Sequence, residues 1–247
     1  MAKVLKDKFR CQGPILTLHD RPADFFQPIE AVKRASSLKK LLPQPEDLSK
    51  VVDQRSRLVV SSTSWTPDED FSILLDAFCI YSTELKTAHR HLPSIVAVIT
   101  GKGPLKGAYL SQVQKLREEG KLDKIQLYTA WYSIEDYATL LACADLGVSL
   151  HTSSSGVDLP MKVVDMFGAG LPAIGWDRFE AWPELVTEGV NGKGFSSAQG
   201  LADNLVELFG GDGLALAKLK EGAVQESKRR WDDEWDPIAG KLLGLNT

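Results

Sequence analysis

From residue 57 onward, short apolar and β-branched runs alternate with longer segments of helical spacing. The clearest run is 94–100, Ser-Ile-Val-Ala-Val-Ile-Thr, which is typical of a strand buried on both faces of a parallel sheet. Similar runs lie at 58–61, 124–129, 146–150, 171–175 and 192–195. Strands and helices that alternate in this way predict βαβ units. The fold class is therefore α/β, with a Rossmann-like, doubly wound parallel sheet.

Helical spacing and turn residues locate the segments between these strands. The predicted helices lie over 70–86, 106–120, 133–143, 159–169 and 179–187, with two more inside 198–230 that a Gly-Gly-Asp-Gly break separates at 210–213. Ser133 opens one of them with the spacing of a capping box. Residues 41–56, with prolines and mixed charge, indicate a loop. Trp231 and Trp235 share one helical face and need a surface to pack against.

Composition narrows the class of protein. The chain has 247 residues, 43% hydrophobic and 25% charged, which is typical of a folded globular protein with one large or two small domains. Its formal net charge of −4 gives no reason to expect a nucleic-acid partner. Residues 1–40 are basic, with nine Lys or Arg against four Asp or Glu. That end is compatible with an anionic membrane surface, with a protein partner, or simply with a solvated helix.

Neither a disulfide framework, nor a structural zinc site, nor a membrane-spanning helix is expected. Cys11, Cys79 and Cys143 are few and far apart, as in proteins of reducing compartments. His89 and His91 form a close pair, which we expect at the surface beside a helix end. No run of 18 apolar residues occurs, and the N-terminus lacks the apolar core of a signal peptide.

The stretch 153–168, Ser-Ser-Ser-Gly-Val-Asp-Leu-Pro-Met-Lys-Val-Val-Asp-Met-Phe-Gly, joins a polar loop to a helix. Asp158 occupies the position of an N-cap, and Pro160 suits the first turn. Lys162 lies in that same turn, where a cation opposes the positive end of the helix dipole unless an anion lies in front of it. Loop, helix N-terminus and Lys162 together predict a phosphate site, and Asp165, one turn deeper, would accept hydrogen bonds from a ribose.

The same stretch also fits an ordinary amphipathic helix. Asp158, Lys162 and Asp165 are spaced to share one face, and the packing side would then carry Met161, Val164 and Phe167. An exposed Asp–Lys pair explains the polar face equally well. Both interpretations stay open at this point.

Other polar or aromatic features have simpler explanations. The turn Gly101-Lys-Gly-Pro104 follows a predicted strand, and Gly101 and Gly103 allow a ligand to approach closely, although a plain βα turn suffices. Asp68-Glu-Asp70 is typical of the acidic first turn of a helix. We expect Trp65, Trp176 and Trp182 to pack in or around the core.

Three segments carry a family resemblance: 153–168, 58–71 (Leu-Val-Val-Ser-Ser-Thr-Ser-Trp-Thr-Pro-Asp-Glu-Asp-Phe) and 19–22 (His-Asp-Arg-Pro). They closely resemble the chitobiosyldiphosphodolichol β-mannosyltransferase family of GT-B glycosyltransferases, and the resemblance covers nearly the whole chain. It implies β-1,4 transfer of mannose from GDP-mannose to dolichol-diphosphate-linked chitobiose in N-glycan precursor synthesis, on the cytosolic face of the endoplasmic reticulum membrane. It also implies an inverting reaction with no obligatory cofactor, and no obligatory metal is expected because no Asp-x-Asp motif lies in a suitable setting. Other glycosyltransferases of the pathway are candidate partners.

The resemblance also implies roles for residues. Asp165 matches the second acid of a paired-acid motif on the donor ribose, and the first acid falls near Val157 or Asp158. Many relatives place an Arg and a Lys on the diphosphate from the loop at 61–70, which here has no cation, so Lys162 becomes the expected phosphate partner. The turn at 101–104 matches the neighbourhood of the nucleotide base. The expected donor-binding set is Ser155, Gly156, Asp158, Lys162, Asp165, Gly101 and Gly103, and no catalytic base is assigned.

Family members have two Rossmann-like halves and an N-terminal membrane anchor, and this chain resembles mainly the C-terminal, donor-binding half. The implied domains are 1–56, a remnant of the N-terminal half and linker; 57–228, the nucleotide-sugar-binding domain; and 229–247, a crossover helix. We expect the acceptor site, the anchor and the general base outside this chain. The alternative is a non-catalytic GDP-sugar-binding module or paralogue.

Overall fold

The computed structural model describes residues 2–87, 92–152 and 157–245, except the side chains of Val4 and Thr87. The strands are β1 (Ser56–Ser62), β2 (Ser94–Thr100), β3 (Ile125–Ala130), β4 (Leu146–Ser149), β5 (Ala173–Trp176) and β6 (Gly192–Phe195). The helices are α1 (Ala2–Asp7), α2 (Ala31–Leu41), α3 (Pro45–Val52), α4 (Ser72–Thr87), α5 (Lys106–Glu118), α6 (Ile134–Cys143), α7 (Met161–Gly168), α8 (Trp182–Leu185), α9 (Ala198–Phe209), α10 (Leu214–Glu226), α11 (Trp231–Trp235) and α12 (Lys241–Leu243), with a π-helical turn at Asp236–Gly240 between the last two.

The strands form one parallel sheet in the order β3-β2-β1-β4-β5-β6. The chain runs from β1 outward to β3 and then returns to place β4 on the other side of β1, where Val60 pairs with Gly147. The reversal lies between β1 and β4. The chain after β1 leads to β2 on one side of this pair, and the chain after β4 leads to β5 on the other side. In such sheets ligands bind beyond the carboxyl ends of the strands at the reversal. The predicted fold class is confirmed.

Helices cover both faces of the sheet, which explains the apolar strand runs. In β1, Leu58 and Val60 pack in a core layer with α2, α6 and α7, whereas Val59 packs in the opposite layer with α4 and α9. Trp65 and Trp182 are buried, and Trp176 packs against both layers, as expected. Strands β1, β2, β3 and β5 contribute side chains to both layers, so the sheet is packed between two apolar layers.

The prediction of a loop at 41–56 was wrong, because residues 45–52 form α3. Pro45 occupies the start of the helix, where its missing N–H costs nothing, and Glu46 and Asp47 suit the positive end of the dipole. Val51 is buried, and the Asp47 carboxylate accepts a hydrogen bond from the Tyr128 hydroxyl. Proline therefore begins a helix here rather than interrupting one. Burial raises the pKa of Tyr128 to about 12, and its bond to Asp47 adds to the effect.

The chain ends of the domain are tied together by Arg21. Its Nη1 donates to Glu226 at 2.8 Å and its Nε to Glu234 at 3.0 Å. Arg230 donates in turn to the carbonyl of Phe26 at 3.0 Å. The segment before α2 thus packs on α10 and α11. Trp231 nevertheless remains 43% exposed, so the surface that it is expected to pack against stays a prediction.

Candidate functional site

A cavity of about 380 Å³ lies where β1, β2 and β3 end, and we call it the carboxyl-edge pocket. It is lined by Ser62, Thr63, Ser64, Thr100, Gly101, Trp131, Tyr132, Ser133, Ile134, Tyr137, Lys162 and Asp165. A second cavity, of about 420 Å³, lies at the opposite ends of the same strands, next to Ser56 and Ser94. Two of its cations, Lys86 and Arg117, already donate to backbone carbonyls. We therefore place the candidate site at the carboxyl edge, as the sheet topology predicts.

Two glycines let the turn after β2 lie against the loop after β1. Gly101 has φ +140°, and a Cβ there would come within 1.7 Å of the Thr63 carbonyl oxygen. A Cβ on Gly103 would come within 1.8 Å of the Ser64 carbonyl oxygen. Both positions therefore require glycine. Gly101 lines the pocket, and Gly103 allows the turn to pack closely against Ser64 and Trp65 behind it.

Gly101→Ala is expected to destabilise the fold by about 3 kcal/mol or more, because the new methyl group collides with backbone and the φ angle is strained. Urea unfolding of the purified chain measures the change. Gly107→Ala is the control, since nothing lies within 4 Å of its added Cβ. That change in helix α5 should be neutral or stabilising by roughly 0.5–1 kcal/mol. Equal effects of the two substitutions would contradict the packing argument.

The start of α7 differs from the prediction. Its N-cap is Pro160, which is extended at ψ 98° and makes no side-chain cap. Asp158 is thus too far from the helix to cap it. Its Oδ2 lies instead 2.7 Å from Nε2 of His151. A residue before proline is biased toward extended backbone, which explains why Leu159 does not extend the helix.

The packing side of α7 was also partly mispredicted. Val164 and Phe167 are buried, but Met161 is 47% exposed, and Val163 and Met166 take the interior positions instead. The helix begins at Met161 itself, so this residue lies at its open end. Lys162 does lie in the first turn, as expected.

The partner of Lys162 is Glu69, which sequence reasoning missed. The Lys162 side chain is 27% exposed, and its ammonium group donates to Oε1 of Glu69, whose side chain is only 2% exposed. The other carboxylate oxygen accepts from Thr63 Oγ1 at 2.8 Å and from the Ser64 backbone N–H at 2.6 Å. Glu69 therefore joins α7 to the loop after β1 at the floor of the pocket.

Glu69 was expected in the acidic first turn of a helix, and that was wrong. Helix α4 begins at Ser72 and has no acid in its first turn. Asp70 acts before it, accepting from the Ser72 N–H at 3.0 Å. The sequence signal was the acidic run Asp68-Glu-Asp70 in a loop without cations, which does not indicate which of the three acids meets Lys162.

Asp165 lies beside Lys162 in the pocket wall. Burial raises the pKa of its carboxyl group to about 7. Among the residues that the structure describes, none forms a hydrogen bond or ion pair with it. A ligand that donates hydroxyl hydrogens would offset the cost of burying this carboxyl group.

A chain of hydroxyl groups crosses the pocket. Thr100 Oγ1 donates to Ser62 Oγ at 3.1 Å, and Ser62 Oγ lies 2.9 Å from the Tyr137 hydroxyl. Burial raises the pKa of Tyr137 to about 12, so this group stays protonated near neutral pH. At the mouth, Trp131 is 65% exposed and the Lys102 ammonium lies 4.4 Å from its ring centre. None of these side chains was predicted.

The structure thus brings Lys162, Asp165 and Gly101 together, whereas Asp158 pairs with His151 instead of lining the pocket. Ser155 and Gly156 lie outside the described residues, as do His89 and His91. Within the described ranges, no three His, Cys, Asp or Glu side chains could jointly hold a metal ion. No helix in those ranges is long and apolar enough to cross a membrane.

Known proteins that are similar to this chain indicate its family and its fold. No family model matches the chain. Chitobiosyldiphosphodolichol β-mannosyltransferase from Arthroderma benhamiae is 58% identical over 100% of this chain and 56% of its own length. The chain is homologous to the chitobiosyldiphosphodolichol β-mannosyltransferases. The enzyme of that name from Candida albicans is 45% identical, over 95% of this chain and 49% of its own. The chain spans about half the length of these curated relatives.

Solved structures agree on the fold of this mannosyltransferase homologue. The C-terminal domain of the glycosyl transferase group 1 protein LpcC from Francisella tularensis has a TM-score of 0.61 at 16% identity, covering 85% of this chain and 97% of that domain. Anabaena HepE in complex with UDP and glucose has a TM-score of 0.66 at 19% identity, covering 93% of this chain and 57% of HepE. The expected fold, one half of a GT-B glycosyltransferase, is confirmed.

Proposed function

We propose that this chain is the donor-binding half of a β-1,4-mannosyltransferase that transfers mannose from GDP-mannose to dolichol-diphosphate-linked chitobiose during N-glycan precursor synthesis. The observation that carries the proposal is 58% identity over the entire chain to an enzyme of that name. The carboxyl-edge pocket adds the chemistry that such a donor needs, because a lysine and an acceptor carboxyl group meet there.

Each part of the donor has a suitable group in the pocket. Lys162, at the N-terminus of α7, faces the diphosphate, and the dipole of that helix favours the same negative charge. Asp165 accepts hydrogen bonds from the ribose hydroxyls. The turn that begins at Gly101 lies nearest the base. Ser155 and Gly156 remain proposed contacts of the phosphates, and Asp158 supports the loop through His151.

The reaction is a single inverting displacement. An acceptor hydroxyl oxygen attacks the anomeric carbon of mannose, and the bond from that carbon to the diphosphate oxygen breaks. The electron pair leaves with GDP, and the acceptor proton passes to a general base that we do not assign to this chain. Negative charge grows on the diphosphate as the bond breaks, so a prepositioned Lys162 lowers the barrier. No cofactor is required by this scheme.

The domain assignment and cellular setting follow from the same proposal. Residues 57–228 form the nucleotide-sugar-binding domain, 1–56 the linker side and 229–247 the crossover segment. The enzyme would act at the cytosolic face of the endoplasmic reticulum membrane, with other glycosyltransferases of the pathway as candidate partners.

A non-catalytic GDP-sugar-binding module is the second candidate. It is favoured by one observation: groups that suit a nucleotide-sugar donor line the carboxyl-edge pocket, while no general base is assigned among them. A UDP-sugar donor is a third option for the ligand, since HepE is described with UDP and glucose.

Binding of GDP, UDP and guanosine to the purified chain, measured by calorimetry, tests the donor assignment. We expect GDP to bind at least tenfold more tightly than UDP, and guanosine more weakly than GDP because it lacks the diphosphate. Equal or tighter binding of UDP would overturn the assignment. Mannosyl transfer from GDP-mannose to a chitobiosyl-diphospho-lipid then separates the first two candidates: turnover supports the enzyme, and GDP binding without turnover supports the module.

A further inference from the structure

A third cavity, which we call the basic cavity, opens at the amino-terminal ends of β1 and β4, away from the carboxyl-edge pocket. Its volume is about 430 Å³. The charged side chains in its wall are Arg34, Arg57, Lys220, Asp145 and Asp212. The mannosyl-transfer reaction proposed above uses none of them. The balance of these positive and negative charges determines which kind of ligand the cavity can bind.

One cation and one acid of the basic cavity neutralise each other. Arg34 Nη2 lies 3.1 Å from Asp145 Oδ1, and Arg34 Nε donates to the Cys143 carbonyl at 2.8 Å. The other oxygen of Asp145 accepts from the Leu58 backbone N–H at 2.7 Å. Arg34 and Asp145 are therefore engaged in contacts that hold the fold together.

The second acid in the wall, Asp212, neutralises little of the positive charge in the cavity. Asp212 is exposed at the rim, where solvent screens it, and its Oδ1 accepts from the Leu214 N–H at 3.1 Å. Arg57 and Lys220 form no ion pair within the described residues, and Asp145, the interior acid of this wall, is already paired with Arg34.

The environment of those two cations is unfavourable for them. Arg57 Nε is buried and has no hydrogen-bond partner. Lys220 is partly buried and makes no hydrogen bond or ion pair with any residue in the described ranges. Burial lowers the pKa of its ammonium group, and Arg34 adds to this effect while Asp145 opposes it. Partly buried cations without partners cost free energy, and an unpaired buried donor often indicates a bound water or ion.

We propose that the basic cavity binds a phosphate group through Arg57 and Lys220. A guanidinium group matches phosphate oxygens in a two-point geometry, and the ammonium of Lys220 in the same cavity wall adds a second positive charge. The cavity is larger than a phosphate ion, so it also admits part of a molecule that carries the phosphate. Free phosphate and a phospholipid headgroup share this chemistry.

Titration of the purified chain with inorganic phosphate, followed by calorimetry, tests the proposal. Saturating GDP is present so that the carboxyl-edge pocket is filled. Saturable binding is expected, and Arg57→Met and Lys220→Met should each weaken it about tenfold or more. Lys218→Met, on the exposed side of the same helix α10, is the matched control and should bind as the wild type does. Absence of saturable binding, or equal binding by all four proteins, would overturn the proposal.

A second measurement needs no variant and therefore does not depend on how the substitutions fold. An amine-acylating reagent is applied to the wild-type chain, and mass spectrometry follows modification of Lys220 and Lys218. Phosphate is expected to slow acylation of Lys220 severalfold and to leave Lys218 unchanged. Equal protection of both lysines, or of neither, would count against the site.

Vesicles distinguish the two sources of phosphate. Binding to phosphatidic acid vesicles, but not to phosphatidylcholine vesicles, with loss in both methionine variants, supports a lipid headgroup as the ligand. Phosphate binding without vesicle binding supports a soluble phosphate compound. Vesicle binding that all variants retain would overturn the assignment of a headgroup to this cavity.

Discussion

Lys162→Met is expected to weaken GDP binding about 10- to 100-fold and to leave guanosine binding nearly unchanged. A hydrogen bond to a charged group contributes about 1.5–3 kcal/mol, and each 1.4 kcal/mol corresponds to a tenfold change in affinity. Guanosine has no diphosphate, so it reports on the rest of the pocket. Calorimetric titration with both ligands measures the two effects separately. Lys115→Met, at a lysine that is 76% exposed on α5, is the matched control.

Lys162→Met is also expected to lower the free energy of unfolding, in addition to its effect on GDP binding. Without Lys162, the buried carboxylate of Glu69 loses its cation, and unpaired buried charges destabilise a fold strongly. The double variant Lys162→Met with Glu69→Gln removes both charges and should unfold at a higher urea concentration than Lys162→Met alone. Its GDP affinity should stay as low as that of Lys162→Met, and its guanosine affinity should stay near the wild-type value. Recovery of GDP affinity in the double variant would contradict the role assigned to Lys162.

Asp165→Asn is expected to stabilise the ligand-free protein at pH 8 and to weaken GDP binding. The folded pKa of about 7 lies above the ordinary value of 3.8, so the folded state holds this proton more tightly than the unfolded state does. Wild-type stability therefore falls as the pH rises from about 4 to 7 and stays low above that range. Asparagine carries no charge and escapes this loss. One pKa unit corresponds to about 1.4 kcal/mol, so the gain should be on the order of 2–4 kcal/mol at pH 8.

Urea unfolding at pH 5 and pH 8 checks the sign of this effect. At pH 5 the folded wild type is already protonated, so the advantage of the variant should be less than half of its value at pH 8. Asp76→Asn, at an exposed position of α4, is the control and should show no such difference. An equal advantage at both pH values would mean that the Asp165 carboxyl group does not titrate as described. Stabilisation that accompanies weaker binding would mark Asp165 as a residue kept for its ligand rather than for the fold.

The fold was predictable because burial on both faces imposes apolar strand runs that are visible in the chain. Strands 94–100 and 192–195 were predicted with the bounds that the structure has, and the break at 210–213 separates α9 from α10 as expected. Ser133 caps α6 by accepting from the Asp136 N–H at 3.2 Å. Local sequence patterns determine these features, so each of them can be predicted from its own segment of the chain.

The errors arose where tertiary contacts override local preference. Glu69 has the position of a helix-start acid, but it forms an ion pair instead with a lysine 93 positions later, at the start of α7. Asp158 has the chemistry of an N-cap, but Pro160 delays the helix by extending the backbone. The hydroxyl chain through Ser62 and Tyr137 depends on which strands are neighbours, and that order is not contained in any one segment.

The bond between Lys162 and Glu69 has a kinetic consequence for the proposed reaction. A lysine whose only partner was the diphosphate would be left as a bare cation in a partly buried pocket when GDP departs, and the cost of that state would slow departure. Here the carboxylate of Glu69 is already in contact with the lysine and recaptures it. The built-in counter-ion therefore shortens the residence time of the spent nucleotide, and it favours rapid exchange of GDP for the next donor over tight retention of product.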